Sequence, residues 1–307
     1  MKLPKNINEI FRRKDDYIQN HRDTFEKDVI KMQDELLDRV LKEIVPELDI
    51  QNGVIQDTKK NLNIIHELDR LYDDFASITQ KEVVEKYGKS FARVDQLNTQ
   101  YFKEIALNEI TKKRFDAVKY KTDSFMHTRI GVNTDGQLIK NGYLDQFIQD
   151  RTLLNELRQL TMRAVTGKLE GKSYVQQISD KIVGNEEVTG GFEKYYRTYA
   201  YDSLQEYDRA YGKQMADEFK MNYAVYQGGL IKDSRPFCIE HNNKVYSREE
   251  IAKFGEWKDP ETGEVPSYIS SFPGYDPVDH CGGFKCRHSL SWISDQMAFR
   301  LRPELKI

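Results

Sequence analysis

The sequence predicts a mainly α-helical chain: an N-terminal helical region followed by a smaller α+β C-terminal domain rich in ordered loops. Three observations lead there. No proline falls between Pro46 and Pro236, and five then crowd between Pro236 and Pro277; the first stretch permits long helices and the second favours extended segments and turns. In the first half, apolar residues recur at spacings of three and four with charged residues between them, the pattern of helices burying one face. From Asn222 onward short β-prone runs replace that periodicity.

In chain order, Phe25, Val29, Met32, Leu36, Val40 and Ile44 form a first helical stripe. Ile64, Leu68, Leu71, Phe75 and Ile78 form a second, and Tyr87, Phe91, Val94, Leu97, Tyr101 and Ile105 a third. The connector over 48–57 holds Gly53. Gly131-Val-Asn-Thr-Asp-Gly136 favours a tight turn, and its apolar flanks allow a small hairpin. Helical patterning resumes over 143–169 and 173–182. A further helix is expected over 192–219, studded with Tyr195, Tyr196, Tyr199, Tyr201, Tyr207 and Tyr211, whose hydroxyls are expected at the domain edge. Tyr223-Ala-Val-Tyr226 and Lys244-Val-Tyr246 read as short strands, and Ser247-Arg-Glu-Glu250 as a helix N-cap with an acidic first turn. Residues 257–283 read as ordered loop. The expected division is a helical arm or docking region over 1–140 and a domain of helices, short strands and a Cys/His loop segment over 141–307.

Composition narrows the function classes. With 307 residues, 32% charged and 11% aromatic, and a mean hydropathy of −0.73, the chain is polar yet too aromatic to be disordered. A net charge of −3 gives no whole-chain attraction to nucleic acid or anionic lipid, so any such contact needs a local patch. The longest uncharged stretches, such as 265–275, fall far short of the roughly 20 residues that span a bilayer, and the charged N-terminus does not read as a secretory signal. Three cysteines make a poor disulfide framework, which fits a reducing cytoplasm and raises the question of metal binding.

Chemistry concentrates between Asp233 and His288. Cys238 and His241 stand three residues apart, and about forty residues later come His280, Cys281, Cys286 and His288. All three cysteines and three of the six histidines fall in these two clusters. Zinc takes four Cys or His ligands, usually as two closely spaced pairs. Cys238 with His241 could form one pair, and Cys281 with Cys286, or Cys286 with His288, the other; a Pro-rich segment poor in apolar residues gains much from such a clip. The plainer reading is free thiols and histidines that pack and hydrogen-bond. Two catalytic readings stand beside these. His241-Asn-Asn243 with His280 and His288 superficially resembles a metal-dependent His-Asn-His nuclease, and Cys238 with His241 could form a nucleophile pair. Asp233 and Arg235 are expected to stabilise the turn before Pro236 through an ion pair or backbone hydrogen bonds.

The same residues carry a family resemblance. Arg197-Thr198, then Asp233-Ser-Arg235-Pro-Phe-Cys238, then Asn243-Lys-Val-Tyr246, and last Gly282-Gly-Phe-Lys-Cys286-Arg-His288 with Trp292 beyond, follow one another in order. The set resembles the C-terminal domain of tailed-bacteriophage minor head proteins, the head morphogenesis family with the Mu F-like members, and covers roughly 192–293. Asn243 stands where the family carries a glycine, and asparagine tolerates the left-handed conformation. The histidine the family carries ahead of its final cysteine is matched by His280, with Cys281, Gly282 and Gly283 intervening. The resemblance implies a low-copy, non-enzymatic virion protein, made in the host cytoplasm and placed in the head interior near the portal. Its implied partners are the portal protein, the major capsid or scaffold protein, further copies of itself and packaged DNA, and no membrane. The N-terminal helices would then be the docking arm. Between Lys285 and Ile307, Lys285, Arg287, Arg300, Arg302 and Lys306 oppose Asp295 and Glu304; of these Arg300, Arg302 and Lys306 in the tail are the candidate phosphate contacts.

Overall fold

A computed structural model describes residues 4–106, 111–133, 135–283 and 285–306, without the side chains of residues 22, 106 and 194–202. The chain is mainly α-helical with a small α+β C-terminal region, as the sequence predicts. The first two helical stripes lie on α1 (Lys5–Arg39) with the π-helical turn Val40–Ile44, and on α2 (Lys59–Phe75); the third lies on α3 (Lys81–Ala106). There follow α4 (Lys112–Ile130), α5 (Tyr143–Gln149), α6 (Thr152–Thr166), α7 (Gly171–Ile182) and α8 (Gly191–Phe219).

The compact units are interleaved in sequence. One is assembled from Met1–His21, Ser90–Arg129 and Asp202–Ile307, the other from Arg22–Lys89 and Ile130–Tyr201. The sequence suggests one division, at residue 140; α1, α3 and α8 each include residues of both units. A 35-residue helix is about 50 Å long at about 1.5 Å per residue. Unbroken helical periodicity conceals such a boundary.

In the unit built from Arg22–Lys89 and Ile130–Tyr201, α2, α6 and α7 bury Leu68, Phe75, Leu157, Tyr174 and Ile178 completely. The Tyr174 hydroxyl lies 2.9 Å from Thr161 Oγ1, which donates to Leu157 O. The connector before α2 folds into a two-residue antiparallel ladder, Ile50–Gln51 (β1) with Val54–Ile55 (β2). Buried Asn61 fixes it by accepting from Asp49 N–H and donating to the Asp49 and Gln56 carbonyls. The expected stripe on α2 holds through Phe75 and then slips. A π-helical turn, Ala76–Gln80, inserts a wider turn there; Ile78 is 60% exposed, and Ala76 and Gln80 take the inward positions. Around Gly131 the expected hairpin reduces to a single bridge, Val132↔Leu138. The Asn133 side chain accepts from Asp135 and Gln137 N–H, a local alternative to ladder bonds.

The other unit carries the α+β region. Its sheet has the order β4-β3-β5, all antiparallel, with β3 (Tyr223–Gln227) between β4 (Lys244–Ser247) and β5 (Ser289–Ile293). Tyr226 sits on the central strand opposite Lys244 on one side and Leu290 on the other. Tyr101 of α3 donates to Trp292 O at 3.0 Å, tying helix to sheet. Tyr207 and Tyr211 do not lie at a domain edge as expected: both are buried, and their hydroxyls donate to Asp95 and Asp123 at 2.6 and 2.8 Å. The side chains of Tyr195, Tyr196, Tyr199 and Tyr201 fall outside the described residues, as do those of Arg197 and Thr198.

The predicted cap at Ser247 is present. Ser247 Oγ accepts from Glu250 N–H and Glu250 Oε2 accepts from Ser247 N–H, a reciprocal capping box opening α10 (Arg248–Ala252). Ser247→Ala is expected to cost about 1 kcal/mol in chemical denaturation; an unchanged midpoint would show that the box contributes nothing.

Candidate metal centre

Three chain segments converge beside Tyr226. Pro236 opens the short helix α9 (Pro236–His241) at a position where a missing N–H costs nothing, and this helix buries Phe237 and Cys238. After the turns Ser267–Ser270 (α11) and Pro277–His280 (α12), residues 281–288 lead into β5 and bury Cys286 and His288. Cys238, Cys286 and His288 each offer a donor atom, all within 4.8 Å of one another, and all three residues are buried: this group could hold a metal ion. The two sulfurs lie 3.9 Å apart, and His288 Nδ1 lies 3.9 Å from Cys286 Sγ. His288 Nε2 is buried with no hydrogen-bond partner among the described residues.

Local structure holds the group in place. The Arg209 guanidinium on α8 is buried and donates to the carbonyls of His288, Cys286 and Asp279 at 2.6–3.0 Å. Arg235 donates to Gly282 O at 2.7 Å and lies over the Tyr268 ring, 4.4 Å from its centroid. Gly282 faces the donors directly: a Cβ there would stand 2.8 Å from Cys238 Sγ and 3.2 Å from both Cys286 Sγ and the Tyr226 hydroxyl. Gly282→Ala is therefore expected to lower metal affinity at least tenfold by displacing donors, measured by competition with a chromophoric chelator. An unchanged affinity would show that the space between the donors is not used.

The two thiols share their protons unequally. Cys238 is pushed up, first by donating its S–H to Cys286 and then by burial. Burial opposes ionisation of Cys286, yet the Cys238 and His288 hydrogen bonds and the Arg209 charge hold its thiol well below the ordinary value. Burial pushes the Tyr226 phenol well above its ordinary value. Two buried sulfurs beside a buried imidazole form a donor set that suits a borderline or soft cation.

The other residues singled out in the sequence lie elsewhere. His241 is buried, but it stacks on Phe237 at 4.0 Å, its Nδ1 donates to Phe237 O, and burial lowers its pKa. It does not join the donor group. Cys281 is buried with its thiol pushed up to about 12, chiefly by burial, and its sulfur lies 3.9 Å from Val278 O. His280 Nδ1 accepts from Asp276 N–H, and its ring lies against Phe272, tilted by 37° at 4.3 Å between centroids. Arg235 makes the expected backbone bond, whereas Asp233 is exposed and makes no side-chain bond among the described residues. Asn243 adopts φ +61°, the left-handed conformation for which the sequence selects a glycine substitute.

Of the candidate phosphate contacts, Arg300 and Lys306 are exposed and Arg302 is committed to the fold. Arg302 grips Glu250 through both guanidinium arms at 2.7 and 2.8 Å and donates to Val245 O, which closes the outer edge of β4. Burial pushes the Glu250 carboxyl up, but the Arg302 and Ser247 bonds outweigh it and hold it below its ordinary 4.5. A depressed carboxylate stabilises the fold above its unfolded value and loses that contribution as pH falls through the folded one. Arg302→Ala is expected to cost about 1 kcal/mol at pH 7, and the gap to wild type should close as pH falls below 4.5. A gap independent of pH would assign the loss to packing.

Sequence reasoning does not reach Arg209, nor the roles of Tyr226 and Gly282 beside the donors. Arg209 carried one signal: a charge beside the apolar stripe Leu204, Tyr207, Tyr211 and Met215. Tyr226 was legible only as a strand residue. No described helix is long and apolar enough to cross a membrane. Fold and site together define a mainly α-helical protein with a buried thiol–imidazole group able to hold a metal ion. Comparison with protein-family models, curated proteins and solved structures gave no match.

Proposed function

We propose that this chain is a minor head protein of a tailed bacteriophage, present in few copies inside the head near the portal. In this reading it acts in head morphogenesis, portal association or genome delivery, and a single structural zinc clips its C-terminal loops. One observation supports the reading above others. Two of the segments that carry the family resemblance in sequence, the one with Arg235 and Cys238 and the one with Gly282, Cys286 and His288, meet at one buried place: Cys238, Cys286 and His288 supply the donors, and Arg235 bonds Gly282. Motif residues that serve one buried clip are those a structural domain keeps. The chemistry of the donors favours zinc: bonds of about 2.3 Å from a tetrahedral metal to two sulfurs place them about 3.8 Å apart, against 3.9 Å here.

Portal, major capsid or scaffold protein and further copies of this chain are the partners that follow, with the amphipathic N-terminal helices as the docking arm. Packaged DNA remains a partner through Arg300 and Lys306, which are exposed, rather than through Arg302. Quantitative mass spectrometry of purified DNA-filled particles tests the placement. A copy number near that of the portal, or lower, supports a portal-proximal component. Absence from mature particles sinks it, and divalent-metal-dependent plasmid nicking then becomes the assay to run. For the metal, untagged protein should carry about one zinc per chain; clear substoichiometry, with melting unchanged by chelator, would remove zinc from the reading.

A further inference from the structure

Three donors leave a tetrahedral ion one vertex short. The residues that the sequence offered for it, Cys281 and His241, do not join the group of mutually close donor atoms. A different atom stands there. The Tyr226 hydroxyl lies 3.4 Å from Cys238 Sγ and 3.5 Å from Cys286 Sγ. Metal–sulfur bonds of about 2.3 Å and a metal–oxygen bond of about 2.0 Å, at the tetrahedral angle, give sulfur–oxygen edges of about 3.5 Å. The space among these three atoms is the one a side chain at Gly282 would enter.

We propose that Tyr226 is the fourth ligand, its phenolate oxygen closing a two-sulfur, one-nitrogen, one-oxygen site. This rests on the metal reading given above and specifies its coordination. Tyr226 is held for the task. It sits on the central strand of the sheet, its ring stacks on His288 at 5.0 Å and 17°, and it meets Phe237 and Phe254 edge-on at 5.8 and 6.0 Å. The oxygen therefore needs no rearrangement to reach the ion. Two thiolates, a phenolate and a neutral imidazole carry three negative charges, so a divalent cation leaves one. The guanidinium groups of Arg209 and Arg235, bonded to the carbonyls of Cys286 and Gly282, lie where they offset it. On binding, the metal–oxygen bond replaces the phenol O–H bond and that proton leaves to solvent, along with any proton still on the two sulfurs. A site with four protein ligands has no position for a substrate, which makes it a closed structural site.

The test uses the full chain, stripped with chelator and reloaded with Co2+ or Zn2+. Tyr226→Phe keeps the ring and removes only the oxygen. The proposal expects wild type to give a tetrahedral Co2+ spectrum with thiolate charge transfer, and Tyr226→Phe a shifted ligand-field envelope with affinity at least tenfold weaker. It also expects one proton fewer released per Zn2+ bound by the variant. In wild type, Zn2+ should raise the near-ultraviolet tyrosinate difference band, a readout that stands even if the variant fails to fold. Metal binding by both proteins with the same spectrum, the same proton release and no tyrosinate band would overturn the phenolate ligand and leave the zinc clip standing. Absence of metal binding by wild type would overturn both.

Discussion

A Cys286→Ala variant is expected to lose the metal and to melt roughly 10 °C below wild type. Cys286 is central to the donor group: its sulfur lies 3.9 Å from Cys238 Sγ and from His288 Nδ1, and 3.5 Å from the Tyr226 hydroxyl. A ligand held at a thousandfold excess over its dissociation constant stabilises the native state by about 4 kcal/mol, and about 1 kcal/mol moves the midpoint of a domain this size by about 2–4 °C. Cys281→Ala provides the contrast. It removes a thiol that is equally buried but outside the donor group, so it should retain the metal while destabilising through the cavity alone, by about 1–2 kcal/mol. Differential scanning calorimetry with and without chelator separates the two. If chelator leaves the wild-type transition where it was, the thiols are packing groups and no metal clips these loops.

Removing Arg209 is expected to be nearly as costly, about 3–5 kcal/mol in urea unfolding. Its guanidinium satisfies three backbone carbonyls, those of His288, Cys286 and Asp279, inside the unit. Each buried acceptor left without a donor costs about 1–3 kcal/mol, and truncating a buried charged donor falls in the same range. Arg209→Lys should recover little, because a single ammonium cannot reproduce the planar fork that serves separate carbonyls. These carbonyls belong to the segment bearing Cys286 and His288, so Arg209→Ala should also weaken metal binding about 10–100-fold. A loss below about 1 kcal/mol with unchanged metal affinity would refute this role.

Much of the fold is legible in the residues because helix formation follows a local period. The stripes carried by Leu36, Leu68 and Leu97, the Ser247 cap and the left-handed Asn243 all depend on neighbours within a few positions. For the same reason local reading failed where geometry is shared across the chain. The π-helical turn Ala76–Gln80 moved Ile78 outward with no residue to announce it.

For the site, sequence by itself determined where the chemistry lies: the cysteines and histidines between Asp233 and His288. Only the tertiary structure decided which of them meet. His241 and Cys238 are neighbours in sequence, yet α9 turns the imidazole onto Phe237 while the thiol faces Cys286, 48 residues away. Tyr226, on the central strand and 12 residues before Cys238 and 60 before Cys286, brings its oxygen to both sulfurs. Spacing along a chain can nominate ligands. Their selection is a matter of direction in space, set by sheet pairing and by the buried hydrogen bonds of Arg209 and Arg235.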